Sequence, residues 1–423
     1  MVNTRKIAVK ALMEVSSNKA YSNLTLNKIF SENNLETNEK SFVTALFYGV
    51  LDRKITIDYL LSLFIKKPLK KITPLTIEAL RIAVYQIYYM DKVPESAAVN
   101  ESVKLVKSSK EHFNASFVNG VLRNLLREKP ELPKGNDEKS LSIRYSCPMW
   151  IIKSFVGDYG EEIAEELLKE SLLNPPVNLR VNRVKISADE LMIKLKNENI
   201  ISEKIDENTL KILGGIDVKE SICYRQGFFH IQDLASSRSI EKLGLKSGMR
   251  VLDLCSAPGG KSFTAAGIMR NSGEIFSFDL YEKRVELIEK SAKRLGFDII
   301  KAARGDATEF NSQIGKFDAI ICDVPCSGLG VIRRKPEIKY KDSEDFSALQ
   351  EIQLKILNNA VSYLKENGKI LYTTCTVRKS ENEKIVSAFL ESHKDFNLEY
   401  EHTYMPHIDK TDGFYCAVIS QSR

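Results

Sequence analysis

The amino-acid sequence predicts an α/β protein with a nucleotide-binding parallel sheet in its C-terminal half and an all-α N-terminal third. Three observations lead to this prediction. From residue 250 onward, short apolar strands alternate regularly with amphipathic helices. Residues 251–279 read as a strand, a glycine-containing turn, an alanine-rich helix and a second strand, the order of a nucleotide-binding unit. Residues 1–129 instead repeat apolar side chains at the three-to-four spacing of helices.

The N-terminal third is predicted to be almost entirely helical. Residues 76–89 carry a broad apolar face, and Pro94 separates them from a further helix that begins at Glu95. Residues 1–135 contain 21 Lys and Arg against 13 Asp and Glu, although the net charge of the whole chain is only +6. This local excess of positive charge suits a polyanionic partner, but mild basicity is also common on solvated helices.

A linker and a small α/β subdomain are predicted to follow. Residues 130–139 hold two prolines, a glycine and several charges, which is typical of a linker. An amphipathic helix at 188–196 precedes short strand-like runs near 210–213 and 227–231. The predicted domains are residues 1–135, 140–235 and 236–423.

The C-terminal domain is predicted to contain a mainly parallel sheet covered by helices on both faces. The predicted strands lie near 250–254, 274–278, 299–304, 317–322, 368–374 and 413–420. The predicted helices lie at about 260–270, 282–295, 345–365 and 380–392. Sheets of this kind bind ligands beyond the carboxyl ends of their strands, so the residues at those ends are the candidates for a functional site.

Composition narrows the class of protein. Apolar residues make up 43% of the chain and charged residues 28%, as in ordinary soluble proteins. We find no apolar run near the ~20 residues that span a membrane and no apolar core of a signal peptide, and therefore expect a cytoplasmic protein without a membrane partner. The seven cysteines form no Cys-x-x-Cys pair, and no His pair accompanies Cys322 and Cys326. We expect reduced thiols and no bound metal.

The glycine-containing turn admits three interpretations. The Gly-Lys-Ser triplet at 260–262 matches the end of a phosphate-binding P-loop, but Cys255 stands where that pattern needs glycine. A Gly-x-Gly-x-x-Gly dinucleotide fingerprint does not occur, and a plain tight turn is the third interpretation. Asp279 ends the second strand 20 residues after Gly259, where nucleotide-binding units place an acceptor for ribose hydroxyls.

The string Asp-Leu-Cys-Ser-Ala-Pro-Gly-Gly-Lys at 253–261 is more specific than any of these patterns. It resembles the S-adenosylmethionine loop of the RNA cytosine-5 methyltransferases of the NOL1/NOP2/Sun family. The resemblance implies a Rossmann-like S-adenosyl-L-methionine-dependent methyltransferase domain. The cofactor-binding residues that it implies are Cys255, Ser256, Ala257, Pro258, Gly259, Gly260, Lys261, Asp279, Arg284, Asp306 and Asp323.

The rest of the chain carries further resemblances. Residues 5–12, 93–107 and 117–123 are similar to the RNA-binding domain of the NusB antitermination factor. Residues 176–182 fit the Pro-x-x-x-Arg-x-Asn signature of the RNA-recognition-like module of the methyltransferase family, where Arg180 would contact phosphate or form a surface salt bridge. Together these resemblances imply 16S ribosomal RNA as the substrate, and we expect a monomer.

Two cysteines are candidates for covalent catalysis. C5 of cytosine is too weakly nucleophilic to attack a methyl sulfonium, but a thiolate that adds at C6 makes C5 enamine-like. In DNA cytosine-5 methyltransferases the cysteine of a Pro-Cys pair attacks, whereas in the RNA family the Thr-Cys cysteine attacks and the Pro-Cys cysteine assists product release. The resemblance therefore implies Cys375 as the nucleophile and Cys326 as its helper, and Asp323 could hydrogen-bond the cytosine edge.

Two alternatives stay open at this point. The chain could be a cytosine-5 methyltransferase that acts on another ribosomal RNA site or on tRNA. It could also be a non-catalytic RNA-binding factor that retains the fold. An amino-group methyltransferase is disfavoured, because such enzymes resemble one another in an Asn/Asp-Pro-Pro-Tyr motif where this chain has Asp-Val-Pro-Cys at 323–326.

Overall fold

A computed structural model describes residues 3–18, 22–214, 220–341 and 346–421. The chain packs as two compact units. The helical unit comprises residues 1–173 together with 332–341, and the sheet unit comprises residues 174–331 and 342–423. The domain boundaries predicted from the sequence stay predictions.

The helical unit confirms the predicted all-α N-terminal third. Its helices in the described part of the chain are α1 (Thr4–Asn18), α2 (Ser22–Glu32), α3 (Thr37–Ser62), α4 (Pro74–Tyr89), α5 (Glu95–Lys107), α6 (Ala115–Glu128), α7 (Glu138–Tyr145), α8 (Met149–Tyr159) and α9 (Glu161–Glu170). Pro74 stands in the first turn of α4, where its missing N–H has no helical partner to lose. Ile77, Leu80 and Val84 of α4 are buried in the core of this unit.

A buried charge cluster links α3 and α4. The Arg81 guanidinium lies 2.8 Å from Asp58 and 2.6 Å from Glu78, and the Arg81 side chain is 10% exposed. The guanidinium thus contacts both carboxylates directly. A buried ion pair contributes little net stability, but removal of one partner leaves an uncompensated charge in a low dielectric.

We therefore expect Arg81→Met to lower the free energy of unfolding of the helical unit by about 3–5 kcal/mol. Urea denaturation followed by far-ultraviolet circular dichroism measures the change. Lys10→Met is the matched control, because Lys10 forms an exposed pair with Glu32 and its loss should cost less than about 1 kcal/mol. Equal midpoints for the two variants would contradict the assignment of a buried charge cluster.

The sheet unit begins with a small sheet. Its elements are β1 (Asn178–Val181), α10 (Ala188–Asn197), β2 (Ile201–Asp206), β3 (Thr209–Leu213), α11 (Ile222–Arg225) and β4 (Phe229–Ile231). All pairings between described residues are antiparallel, in the order β2-β3-β1-β4, which is the ferredoxin-like arrangement. Phosphate contact and a salt bridge were the two roles considered for Arg180. The structure contains a salt bridge, in which the Arg180 guanidinium lies 2.8 Å from the Glu241 carboxylate.

The large sheet forms the remainder of the sheet unit. Its elements are α12 (Leu234–Glu241), β5 (Arg250–Asp253), α13 (Gly260–Ile268), β6 (Glu274–Asp279), α14 (Glu282–Leu295), β7 (Ile300–Arg304), β8 (Phe317–Asp323), α15 (Leu349–Val361), β9 (Leu364–Thr374), α16 (Glu383–Ser392), β10 (Phe396–Tyr404), α17 (Pro406–Asp409) and β11 (Phe414–Gln421). The strand order over the described residues is β10-β11-β9-β8-β5-β6-β7. Strands β5 to β9 are parallel, and β10 and β11 are antiparallel additions at one side.

The six strands predicted for this domain are present, and so are its four predicted helices. The sequence pattern did not reveal β2 or β10. Both lie at sheet edges, and most of their side chains are exposed or half-buried, so neither shows the apolar run of a buried strand. Among the residues that the structure describes, no helix is both long and apolar enough to cross a membrane.

Candidate active site

Polar side chains and cysteines gather at the carboxyl edge of the large sheet. The parallel strands there are ordered β9-β8-β5-β6-β7, so their carboxyl ends form one continuous edge. β5 ends at Asp253, β6 at Asp279, β8 at Asp323 and β9 at Thr374. The sheet therefore brings together predicted site residues that are far apart in the sequence.

The loop between β5 and α13 turns sharply at this edge. Gly259 has a φ of 102°, and a Cβ atom at this position would lie 2.3 Å from the Phe263 ring, so only glycine fits. The Ser256 N–H donates to the Phe278 carbonyl at 2.7 Å, which fastens the loop to β6. Helix α13 begins at Gly260, and the N-terminus of a helix favours negative charge.

A buried polar cluster lies beneath the loop. The Ser262 hydroxyl donates to the Asp253 carboxylate at 2.7 Å and contacts the hydroxyls of Ser256 and Ser277. Asp253 is fully buried, and desolvation raises the pKa of its carboxyl to about 6. Its second oxygen, Oδ1, meets no hydrogen-bond donor from the described residues. Asp253 is not among the cofactor-binding residues predicted from the sequence, although it begins the string at 253–261 that carries the family resemblance.

A cavity of about 630 Å³ opens beside this loop. Six of the predicted cofactor-binding residues line it, namely Cys255, Ala257, Asp279, Arg284, Asp306 and Asp323. The others, Ser256, Pro258, Gly259, Gly260 and Lys261, do not line the cavity and belong to the loop and the first turn of α13. The structure thus divides the predicted set into residues that line the cavity and residues that do not.

Two carboxylates of the cavity are oriented by neighbouring groups. Asp279 is 6% exposed, accepts the Tyr281 N–H at 3.1 Å and lies 3.7 Å from the Arg284 guanidinium. Asp306 accepts the N–H and the hydroxyl of Thr308 at 2.8 and 2.7 Å, and these hydrogen bonds lower the pKa of its carboxyl. Both side chains retain acceptor capacity for hydroxyl or amino donors of a ligand.

The cavity also has apolar walls that the sequence pattern did not reveal. Leu280, Pro325, Ile352 and Ile356 line it, the last two from α15. A flat heteroaromatic ring can be buried against such side chains while its polar edge meets Asp306. Cys255 also lines the cavity, and burial raises the pKa of its thiol well above its usual range, so this cysteine is a poor nucleophile.

Asp323 connects the cavity with the cysteines. Its carboxylate lies 2.6 Å from the Lys261 ammonium and accepts the Thr373 hydroxyl at 2.9 Å. Lys261 is nearly buried, and its ammonium lies 5.0 Å from the centre of the Phe414 ring. The orientation of the Asp323 carboxylate is thus set by groups on α13 and β9.

The two candidate catalytic cysteines are in direct contact. The Cys326 and Cys375 sulfur atoms are 3.1 Å apart, and the Cys375 N–H donates to the Cys326 sulfur at 3.3 Å. The neighbouring Cys375 thiol and burial raise the pKa of Cys326 well above its usual range. At a separation of 3.1 Å, one thiol can donate a hydrogen bond to the other sulfur.

Glu381 holds the loops that carry these cysteines, although the sequence pattern indicated only the start of a helix there. Its side chain is 1% exposed. Its Oε2 accepts the Ser327 N–H at 2.8 Å and the Gln353 amide at 3.1 Å, and its Oε1 lies 3.3 Å from Arg378. The Gln353 amide also donates to the Pro325 carbonyl at 2.9 Å. One carboxylate thereby fixes Ser327 directly and Pro325 through Gln353, on the two sides of Cys326.

We expect Glu381→Ala to lower the free energy of unfolding by about 1–3 kcal/mol for each buried donor that it leaves without an acceptor. Urea denaturation of the purified variant measures this loss. Glu391→Ala is the control, because Glu391 is exposed on α16 and its removal should change stability by no more than about 0.5 kcal/mol. An unchanged free energy of unfolding in Glu381→Ala would show that the carboxylate does not support these loops.

Three families match successive parts of the chain. Residues 2–127 match the NusB family, residues 147–219 match the ferredoxin-like domain of RsmF/B-like methyltransferases, and residues 241–420 match the family described as 16S rRNA methyltransferase RsmB/F. Within the described ranges, no group of three or more His, Cys, Asp or Glu side chains could hold a metal ion.

Individual proteins match over nearly the full length. A probable ribosomal RNA small subunit methyltransferase B from Bacillus subtilis (strain 168) is 38% identical, with 98% of this chain and 97% of the relative aligned. The ribosomal RNA small subunit methyltransferase B of Vibrio vulnificus (strain YJ016) is 32% identical over 92% and 93%. The crystal structure of PH0851 has a TM-score of 0.84 at 25% identity and covers 100% of this chain and 99% of its own. The crystal structure of NSun6 from Pyrococcus horikoshii with SFG has a TM-score of 0.60 at 20% identity. It covers 65% of this chain and 98% of its own, and at this identity the similarity concerns the fold alone.

Proposed function

Since the chain belongs to the RsmB/F family of 16S rRNA methyltransferases, we propose that it methylates C5 of a cytosine in 16S ribosomal RNA and that Cys375 bonds covalently to C6 of the base. The observation that carries this proposal is the contact between the Cys326 and Cys375 sulfur atoms beside Asp323. Methyl transfer to an exocyclic amino group would need no thiol at this place.

S-adenosylmethionine is the cofactor of the enzyme, and when bound it supplies an electrophilic methyl group carried on a sulfonium ion. The residues present fit this molecule. Asp279 offers a buried acceptor for the ribose hydroxyls, and Asp306 offers an acceptor beside the apolar wall for the adenine amino group. The loop after β5, from Cys255 to Gly260, would hold the methionine end, where the first turn of α13 favours its carboxylate.

In the proposed reaction, Cys375 attacks first. Its thiolate forms a bond to C6, and the electron pair of the C5–C6 double bond is made available at C5. C5 then takes the methyl group, a base removes the C5 proton, and the bond between C6 and the Cys375 sulfur breaks to restore the aromatic ring. The 3.1 Å contact between the two sulfur atoms supports this division of roles, because at that distance a Cys326 thiol can donate a hydrogen bond to a Cys375 thiolate.

Asp323 is proposed to hold the base. The carboxylate can accept the N4 amino group of cytosine and so orient the ring toward Cys375. Lys261 and Thr373 fix the carboxylate from two sides, which restricts its rotation before the substrate arrives. We further propose that the basic N-terminal domain binds the RNA, as the excess of Lys and Arg in residues 1–135 indicates.

We expect Asp279→Ala to weaken S-adenosylmethionine binding at least about tenfold, because a lost hydrogen bond to a charged group is worth roughly 1.5–3 kcal/mol. Isothermal titration calorimetry measures the affinity. Asp298→Ala is the control, since Asp298 is an exposed aspartate that does not line the cavity. Wild-type affinity of the Asp279 variant would remove this residue from the cofactor site.

Covalent enzyme–RNA complexes distinguish the proposed roles of the two cysteines. Cys375→Ser should lower methyl transfer by on the order of a thousandfold or more and form no covalent complex with RNA, because an unactivated alcohol is a poor nucleophile. Cys326→Ser should still attack and methylate but release product slowly, which leaves an enzyme–RNA adduct on a denaturing gel. The double variant is the control, in which this adduct must disappear. An adduct that accumulates in Cys375→Ser instead would exchange the two roles.

A further inference from the structure

A short segment of the chain that belongs to the helical unit follows the loop that carries Cys326. Residues 332–341 pack in the helical unit, although the residues before and after them in the sequence belong to the sheet unit. This docked segment, as we call residues 332–341, contains a short 3-10 helix at Pro336–Tyr340. Its role is not explained by cofactor binding or by the proposed chemistry of the cysteines.

The docked segment is fixed by directional contacts of buried polar groups. Glu337 is 9% exposed, and its carboxylate accepts the hydroxyl of Ser22 at 2.8 Å and the Ser22 N–H at 3.3 Å. Lys339 is 1% exposed, and its ammonium donates to the Asp52 carbonyl at 2.7 Å. The Tyr340 hydroxyl donates to the Leu51 carbonyl.

These contacts fix the position of the docked segment in addition to burying its surface. Both charges are poorly solvated, and this burial lowers the pKa of Lys339 and raises the pKa of the neighbouring Asp52 to about 6. Apolar side chains of similar volume would give as much stability without this desolvation cost. Charged groups with fixed partners instead allow one register of the segment, because any slip leaves them unpaired.

The start of the docked segment lies two residues after Gly330, which is hydrogen-bonded to the backbone of Cys375. The Gly330 N–H donates to the Cys375 carbonyl at 3.1 Å, and the Gly330 carbonyl accepts the Gly413 N–H at 2.9 Å. A Cβ atom on Gly330 would lie 1.9 Å from the Gly413 carbonyl oxygen, so this contact leaves no space. Only Val331 separates Gly330 from the first residue of the docked segment.

We propose that Ser22, Glu337 and Lys339 are positioning residues for the catalytic cysteines, which they influence through the docked segment and Gly330. The docked segment thereby restrains the loop that carries Cys326 through one covalently continuous stretch of chain. The effect on methyl transfer rests on the proposed function, whereas the effect on the thiols does not.

Thiol alkylation of the full-length enzyme tests the proposal without RNA. The variants are Ser22→Ala and Glu337→Gln, and the control is Ser62→Ala, an exposed serine of α3 whose hydroxyl donates to the Tyr59 carbonyl at 2.6 Å. The rate of N-ethylmaleimide modification at Cys326 and Cys375 is followed by peptide mass spectrometry. Cys416, which is fully buried in the large sheet, reports general unfolding of the sheet unit.

We expect both variants to raise the alkylation rate of Cys326 and Cys375 about tenfold, the factor that loss of one hydrogen bond to a charged group gives in the population of the open state. Cys416 should stay unmodified, circular dichroism should stay that of a folded helical unit, and Ser62→Ala should match the wild type. The double variant should be no faster than the faster single variant, because both changes break the same contact.

Methyl transfer supplies the second measurement. At saturating RNA and cofactor, kcat should fall about tenfold or more in both variants, while the Kd for S-adenosylmethionine stays unchanged. Unchanged alkylation rates in well-folded variants would overturn the proposal. A second outcome separates the two proposals. If the variants are alkylated faster but the wild-type enzyme methylates no cytosine, the positioning role holds and the proposed function is overturned.

Discussion

The parallel pairing of β8 with β9 is the constraint on which the candidate active site depends. In this register Asp323 pairs with Thr373, and the two side chains are joined by a hydrogen bond. Both cysteines follow within three residues of this pair, on the loops that leave the two strands. A slip of one residue would turn Asp323 to the other face of the sheet and separate the loops. The contact of 3.1 Å between the Cys326 and Cys375 sulfur atoms is therefore a consequence of sheet register.

The parts of the fold that follow from local pattern could be predicted from the sequence. The parallel strands are apolar runs buried on both faces, and the helices between them are amphipathic, so both are visible in a short window. The grouping of Asp279, Asp323, Cys326 and Cys375 could also be predicted, because parallel strands end at one edge. Their individual roles came from a family resemblance and remain proposals.

The parts that depend on distant partners could not be predicted. β10 is an edge strand with many exposed polar residues, and its strand conformation comes from pairing with β11. Glu381 looks like an ordinary residue near a helix start, because its role arises only when Ser327, on the loop after β8, and Gln353 of α15 donate N–H groups to it. The docking of residues 332–341 depends on partners such as Asp52, 287 residues away from Lys339, and no local pattern encodes such a contact.

The charge of the cofactor cavity agrees with the charge of the cofactor. Four carboxylates line the cavity, from Asp279, Asp306, Asp323 and Glu351, against two cationic side chains. In a partly enclosed site of low dielectric such an excess attracts a positive ligand more strongly than it would in water. The sulfonium of S-adenosylmethionine loses this positive charge when it gives up the methyl group. Lys261 lies 2.6 Å from Asp323 and offsets one of these charges, and the remaining negative charge favours the cofactor over its neutral-sulfur product.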